Sequence, residues 1–168
     1  MKRKIAALCL FMICFISMGI TGKAKVKETI YMKKGDTDSI RLKGSYSFTS
    51  NRKKNVTVSK KGKISAKKVG TGIVTAQKGK KKYTYKVVVL KKMKITGESS
   101  YCWYGRTLSL SFPVKGDKVK WKSSDSKIAT VDETGLVTAK DYGSCIIYVT
   151  YRGKKYKYPI RVKAVPAN

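Results

Sequence analysis

The chain contains no histidine, and it carries only nine acidic residues against 39 lysines and arginines. Without histidine, a Ser-His-Asp triad and any histidine-bearing metal site are excluded. The acidic side chains Asp117, Asp125, Asp132, Glu133 and Asp141 are too dispersed for a recognisable carboxylate pair or calcium loop. Asp125, following Ser123-Ser124, reads as a turn residue bonding its own backbone. Neither a GxGxxG nor a Walker pattern is present, and Gly70-Thr-Gly72, the nearest approach, precedes a strand rather than a helix. RNP, KH and helix-turn-helix patterns are missing as well. These absences set aside cofactor-binding enzymes and sequence-specific readers of nucleic acid. A Ser–Lys dyad stays open on composition alone, though no motif marks one. The expectation is a protein that is not an enzyme and takes no cofactor and no metal.

Apolar runs are scarce too, with one exception at the N-terminus. Met1-Lys-Arg-Lys4 is followed by sixteen uncharged, mostly apolar residues, Ile5 to Ile20, and then by polar, basic sequence. That layout is a secretory signal peptide, expected over 1–24. The run is shorter than the roughly 20 residues a spanning helix prefers. Cleavage after Gly19 and cleavage after Ala24 both fit, and an uncut anchor is the alternative. No later segment could span a membrane, so the mature chain is expected to be secreted or held at the cell surface.

What the sequence does have is a repeat. A shift of 73 residues lays Phe48 on Trp121, Val58 on Val131, Gly62 on Gly135, Gly70 on Gly143 and Tyr85 on Tyr158, without a gap from Phe48 to Val89. Self-similarity on this scale predicts an array of like domains. Two units are expected, 25–90 and 91–168, the first richer in lysine and more divergent. Each reads as short strands: Leu108, Leu110 and Phe112 alternate with serines, and Cys145, Ile147 and Val149 share a face. Tyr156, Tyr158, Ile160 and Val162 share another, opposite Lys155, Lys157, Pro159 and Arg161. Pro159 lacks an amide donor and predicts an edge or a bulge. Gly62 and Gly135 sit where a hairpin needs positive φ. Strands spaced by such turns predict an all-β chain of two tandem sandwiches.

The segment Trp121 to Ile147, WKSSDSKIATVDETGLVTAKDYGSCII, resembles the bacterial immunoglobulin-like domain, group 2. The first repeat departs from it, with Phe48-Thr-Ser-Asn51 in place of the Trp-x-Ser-Ser-Asp run. The resemblance implies immunoglobulin-like sandwiches of the kind found in bacterial surface proteins. There such domains serve as stalks, spacers or carbohydrate- and receptor-binding units.

Charge suggests the partner. A net charge of +30 costs self-repulsion and implies anionic surroundings, which outside a cell are teichoic acid, glycosaminoglycan, extracellular DNA, lipopolysaccharide or anionic lipid. A solvated lysine face kept for solubility is the plain alternative. Candidate polyanion-binding residues cluster in turns: Lys60, Lys61 and Lys63; Lys80, Lys81 and Lys82; Arg152, Lys154 and Lys155. Flanking tyrosines invite a base-stacking reading, but Tyr83, Tyr85, Tyr156 and Tyr158 share parity with inward apolar residues and are expected in the core or at its rim. Once the signal is removed, Cys102 and Cys145 remain. An even pair in an exported chain is a disulfide candidate worth roughly 4 kcal/mol, with two free thiols as the other outcome. The expected function is an exported, non-enzymatic binding or adhesion module held by anionic polymers through basic turns. The alternative is a spacer or subunit of a surface assembly, bound to a surface protein and with no ligand of its own.

Overall fold

The computed structural model describes residues 26–166, and the signal-like segment lies outside them. The first sandwich holds β1 (Val26–Lys33), β2 (Thr37–Ser39), β3 (Ser47–Ser50), β4 (Val56–Val58), β5 (Lys63–Ala66), β6 (Gly70–Lys78) and β7 (Lys81–Leu90). The second holds β8 (Thr96–Gly97), β9 (Tyr101–Trp103), β10 (Thr107–Ser111), β11 (Val119–Ser123), β12 (Ala129–Val131), β13 (Leu136–Ala139), β14 (Gly143–Tyr151) and β15 (Lys154–Lys163). The first sandwich pairs a sheet ordered β1-β7-β6-β3 with one ordered β2-β5-β4. The second pairs β11-β14-β15-β9 with β12-β13-β10-β8. The all-β reading and the tandem sandwiches are therefore as the strand pattern predicts.

Period-two alternation turns one side of every sheet inward. Ile30, Val56, Ile64, Val74 and Val87 are fully buried in one core, and Ala129, Val137, Ile147 and Val149 in the other. Each buried Val or Ile contributes about 1.5–3 kcal/mol of apolar transfer energy, the main favourable term in sandwiches this small. Tyr85 is buried in the first core, while Tyr83, Tyr156 and Tyr158 line the rims, as their parity requires.

One packing device occurs in both repeats. Gly62 and Gly135 adopt φ of 77° and 94° in equivalent hairpins. A Cβ at Gly62 would meet Ile40 O and the Phe48 ring at 2.9 Å; at Gly135 it would meet Leu110 O at 2.5 Å and the Trp121 ring at 2.8 Å. Glycine is thus required twice over, for the turn and for the aromatic ring resting on it.

Two sequence expectations meet the strand order. β9 joins β15 only at Arg161–Lys163, so β15 is an edge at Pro159 and interior two residues later. The expected Cys102–Cys145 bridge is corrected: both cysteines are buried free thiols. Cys145 lies on β14 and Cys102 on β9, with β15 between them. Two inter-strand steps separate their backbones by roughly 10 Å, beyond the Cα reach of a disulfide. The Cys102 thiol instead donates to Arg106 O at 3.4 Å. Burial pushes both thiols above their ordinary pKa, so they stay protonated.

Candidate functional site

The candidate lysines of the first sandwich are exposed and fall on opposite sheets. Lys60, Lys61 and Lys63 surround the turn into β5; Lys80, Lys81 and Lys82 surround the turn into β7. The third cluster is divided by the structure. Arg152 and Lys154 point at the first sandwich, whereas Lys155 belongs to the outer face of the second.

At the junction, Arg152 Nη1 pairs with Glu28 Oε1 at 2.6 Å, its Nε with Asp38, and its Nη2 donates to Ser39 O at 3.2 Å. Lys154 Nζ reaches Asp36 Oδ2 at 2.7 Å, and Tyr31 N donates to Tyr151 Oη at 3.0 Å. Tyr31 and Leu90 pack against the second core. Glu28, Asp36 and Asp38 are the only acidic residues between 25 and 91. Every carboxylate of the more basic sandwich is thus committed to the adjoining one. Burial lowers the Arg152 pKa, but the Asp38 hydrogen bond and charge, then Glu28, more than offset it, and the net direction is upward. Arg152 also sits at φ 48°, the sole non-glycine residue with positive φ among the described residues. Its repeat equivalent is Gly79, at φ 54°. The second sandwich accepts backbone strain at this turn to aim a guanidinium across the junction.

The other arrangement is a sheet face. On β11-β14-β15-β9 the inward residues are apolar, and their neighbours face outward: Lys120 and Lys122 from β11, Lys155, Lys157, Arg161 and Lys163 from β15. Register brings them together, with Lys122 opposite Tyr148, Tyr148 opposite Lys157, Arg161 opposite Tyr101 and Lys163 opposite Trp103. No Asp or Glu occurs in any of these four strands. Lys155 Nζ lies 5.1 Å from the Tyr148 ring centre and Lys163 Nζ lies 4.4 Å from that of Tyr101. Such contacts hold lysine stems flat along the sheet. Six cations on one rigid surface, with no internal counter-charge, create a field that an anionic polymer can neutralise.

Of the turn candidates, only Lys155 belongs to this face. Lys120, Lys122, Lys157, Arg161 and Lys163 were not singled out by clustering along the chain, because they alternate with apolar residues. Period-two lysines were the available signal, but it needs the strand order to become a surface.

On the same face, a shallow opening of about 560 Å³ is lined by Ser100, Ser124, Ser144, Ile146, Pro159 and Arg161, among others. Ser124 Oγ accepts from Ile146 N at 2.8 Å, leaving its hydroxyl proton to donate outward.

Comparison with known proteins bears on the second sandwich first. Residues 108–157 match the model of the bacterial Ig-like domain (group 2). No curated protein matches the chain. Among solved structures, the S-layer protein rSbsC(31-844) is 22% identical, with a TM-score of 0.34, over 73% of this chain and 20% of its own. The chain thus spans about a fifth of that protein's length. A 282-residue C-terminal fragment of intimin, in complex with the intimin-binding domain of its translocated receptor Tir, is 18% identical, with a TM-score of 0.41, over 77% of this chain and 56% of its own. An intimin mutant from EHEC O157:H7 is 23% identical, with a TM-score of 0.34, over 42% of this chain and 43% of its own.

Proposed function

Because residues 108–157 match the bacterial Ig-like domain (group 2), we propose that the chain is an exported, non-enzymatic surface module retained by anionic polymers. Three features support this reading: a signal-like N-terminus, a net charge of +30 and a cationic face without a carboxylate. The last carries it, because a solubilising charge excess has no reason to gather on one side of one sheet. Retention then comes from counterion release as the polymer's charges are neutralised. The exposed turns at Lys60–Lys63 and Lys80–Lys82 add to the field without a fixed geometry of their own.

The test is cosedimentation of residues 25–168, which include both sandwiches, with intact bacterial cells across a salt series. Release between about 0.1 and 0.5 M salt is expected of charge-driven retention. Binding that survives high salt overturns it in favour of a specific receptor. A spacer reading draws support from the ion-paired junction, which fixes one sandwich against the other. No association with cells at any salt, together with capture of one surface protein, decides for that reading.

A further inference from the structure

We propose that the outer face of β11-β14-β15-β9 is the docking surface for an anionic polysaccharide, and that one sugar ring sits in the opening between Ser100, Ser144 and Arg161. This rests on the retention reading above and assigns it a place and a ligand chemistry.

The argument starts from the cations. Along β15, Lys155 and Lys157 form one pair and Arg161 and Lys163 another, about 7 Å apart within each pair and with Pro159 between the pairs. Lys120 and Lys122 lie two strands away across β14. A linear polymer laid along β14 meets positive charge on both sides, from β11 and from β15. Lysine supplies point charge, while the Arg161 fork is suited to a planar carboxylate or a sulfate group.

The opening narrows the choice of polymer. Its lining combines apolar Pro159 and Ile146 with Ser100, Ser124, Ser144 and Arg161. A pyranose ring has the matching character, with C–H faces for the apolar residues, hydroxyls for the serines and an acidic substituent for the arginine. Single-stranded nucleic acid fits less well. Base stacking needs open aromatic faces. Here Lys155 covers Tyr148, Lys163 covers Tyr101, and Trp103 meets Tyr101 edge-on at 5.3 Å between ring centres. A bilayer is disfavoured for another reason: the accessible apolar residues of the opening are few, Ile146 and Pro159 among three serines and Arg161.

The experiment measures binding of residues 25–168 to polygalacturonate and heparin, with oligo(dT) and inorganic polyphosphate as polyanions that lack the acidic sugar. Three variants are compared, each checked for an unchanged thermal midpoint. K122Q/K157Q/R161Q/K163Q removes four of the six face cations, K60Q/K61Q/K63Q/K80Q/K81Q/K82Q removes the turn lysines, and S100A/S144A removes two hydroxyls of the opening. The face variant should lose about tenfold or more in polysaccharide affinity, and the turn variant less than about threefold. S100A/S144A should weaken polysaccharide binding about threefold or more and leave oligo(dT) and polyphosphate unchanged. If the turn variant loses binding and the face variant does not, the face is wrong while retention stands. An equal effect of S100A/S144A on all four polymers, or none on any, removes the sugar assignment. Failure of the unsubstituted protein to bind every polyanion overturns the retention reading itself.

Discussion

In the first sandwich, the outward positions of the four-stranded sheet include Ser47, Thr49, Thr71, Thr75 and Val88 beside Lys82 and Lys86; the positions 73 residues later read Lys120, Lys122, Ser144, Tyr148 and Arg161 beside Lys155 and Pro159. Both sets sit on the same pleat of the same fold. The first sandwich nonetheless has the larger excess of lysine, which it scatters over turns and both sheets. The second has fewer cations and gathers six of them on one surface. Net charge sets how strongly a domain is drawn to anions at long range, and placement decides whether it can hold them. The hairpin tips differ in a parallel way. Gly79-Lys80 relaxes into positive φ, whereas Arg152 enters it under strain and crosses the junction to Glu28 and Asp38.

The largest effect expected lies in the cores and asks how separate the two sandwiches are. Val74 and Ile147 are repeat equivalents, each fully buried. Ile147→Ala should destabilise the second sandwich by about 2–5 kcal/mol and Val74→Ala the first by about 2 kcal/mol. Cysteines make this readable one domain at a time, because Cys102 and Cys145 are both in the second sandwich and both buried. Their alkylation reports opening of that sandwich alone. Ile147→Ala should accelerate labelling by more than about tenfold, and Val74→Ala should leave it nearly unchanged. Equal acceleration by both substitutions would mean that the junction makes one cooperative unit of the pair.

A smaller effect is expected at the hairpin tips. Arg152→Gly removes the guanidinium and relieves a strain of about 1 kcal/mol. The thermal midpoint of the second sandwich should hold or rise, while the interdomain distance distribution in solution scattering broadens. The reverse exchange, Gly79→Arg, imports the strain without a carboxylate partner and should cost the first sandwich about 1 kcal/mol. If Arg152→Gly leaves scattering unchanged, the packing of Tyr31 and Leu90 with the Lys154–Asp36 and Tyr31–Tyr151 contacts holds the junction. The Arg152 pairs are then incidental, as partly exposed pairs often are.

Much of this comparison can be read along the chain, and the point where reading stops has a physical reason. The 73-residue offset places the paired positions from Phe48 to Val89, because β-structure stores its inward and outward choice in local alternation. The Gly135–Trp121 contact has its counterpart in Gly62–Phe48 for the same reason. Lateral strand order is not stored locally. Parity turns Cys102 and Cys145 inward, but nothing in either segment says that β15 will lie between them. Parity likewise turns Lys122 and Lys157 outward, yet their meeting on either side of Tyr148 follows from β14 separating β11 from β15. Arg152 shows a third limit. A Lys- and Arg-rich turn looks the same in sequence whether it faces solvent or an acidic corner 114 and 124 residues earlier.

The smallest effect comes from a single turn and is visible only against pH. Ser59 and Asp132 are repeat equivalents before the glycine turns. Ser59 Oγ accepts one hydrogen bond, from Lys63 N at 3.1 Å. The Asp132 carboxylate accepts three, from Thr134 N at 2.8 Å, Thr134 Oγ1 at 2.7 Å and Leu136 N at 2.9 Å. The Thr134 hydroxyl, then the Leu136 amide, draw its pKa below the ordinary 3.8. A lowered folded-state pKa means that the unfolded chain takes up the proton first as pH falls. The contribution of Asp132 is therefore complete above the ordinary value and disappears as pH falls through the lowered one. Asp132→Ser, which copies the first repeat, should weaken the second sandwich slightly at neutral pH. The difference from the unsubstituted protein should shrink below pH 3.8. Thiol labelling across an acid series, quenched and completed at one common pH, measures that difference in the second sandwich alone. A gap that stays constant down to the lowest pH would assign the effect to the lost turn geometry rather than to the carboxylate's charge.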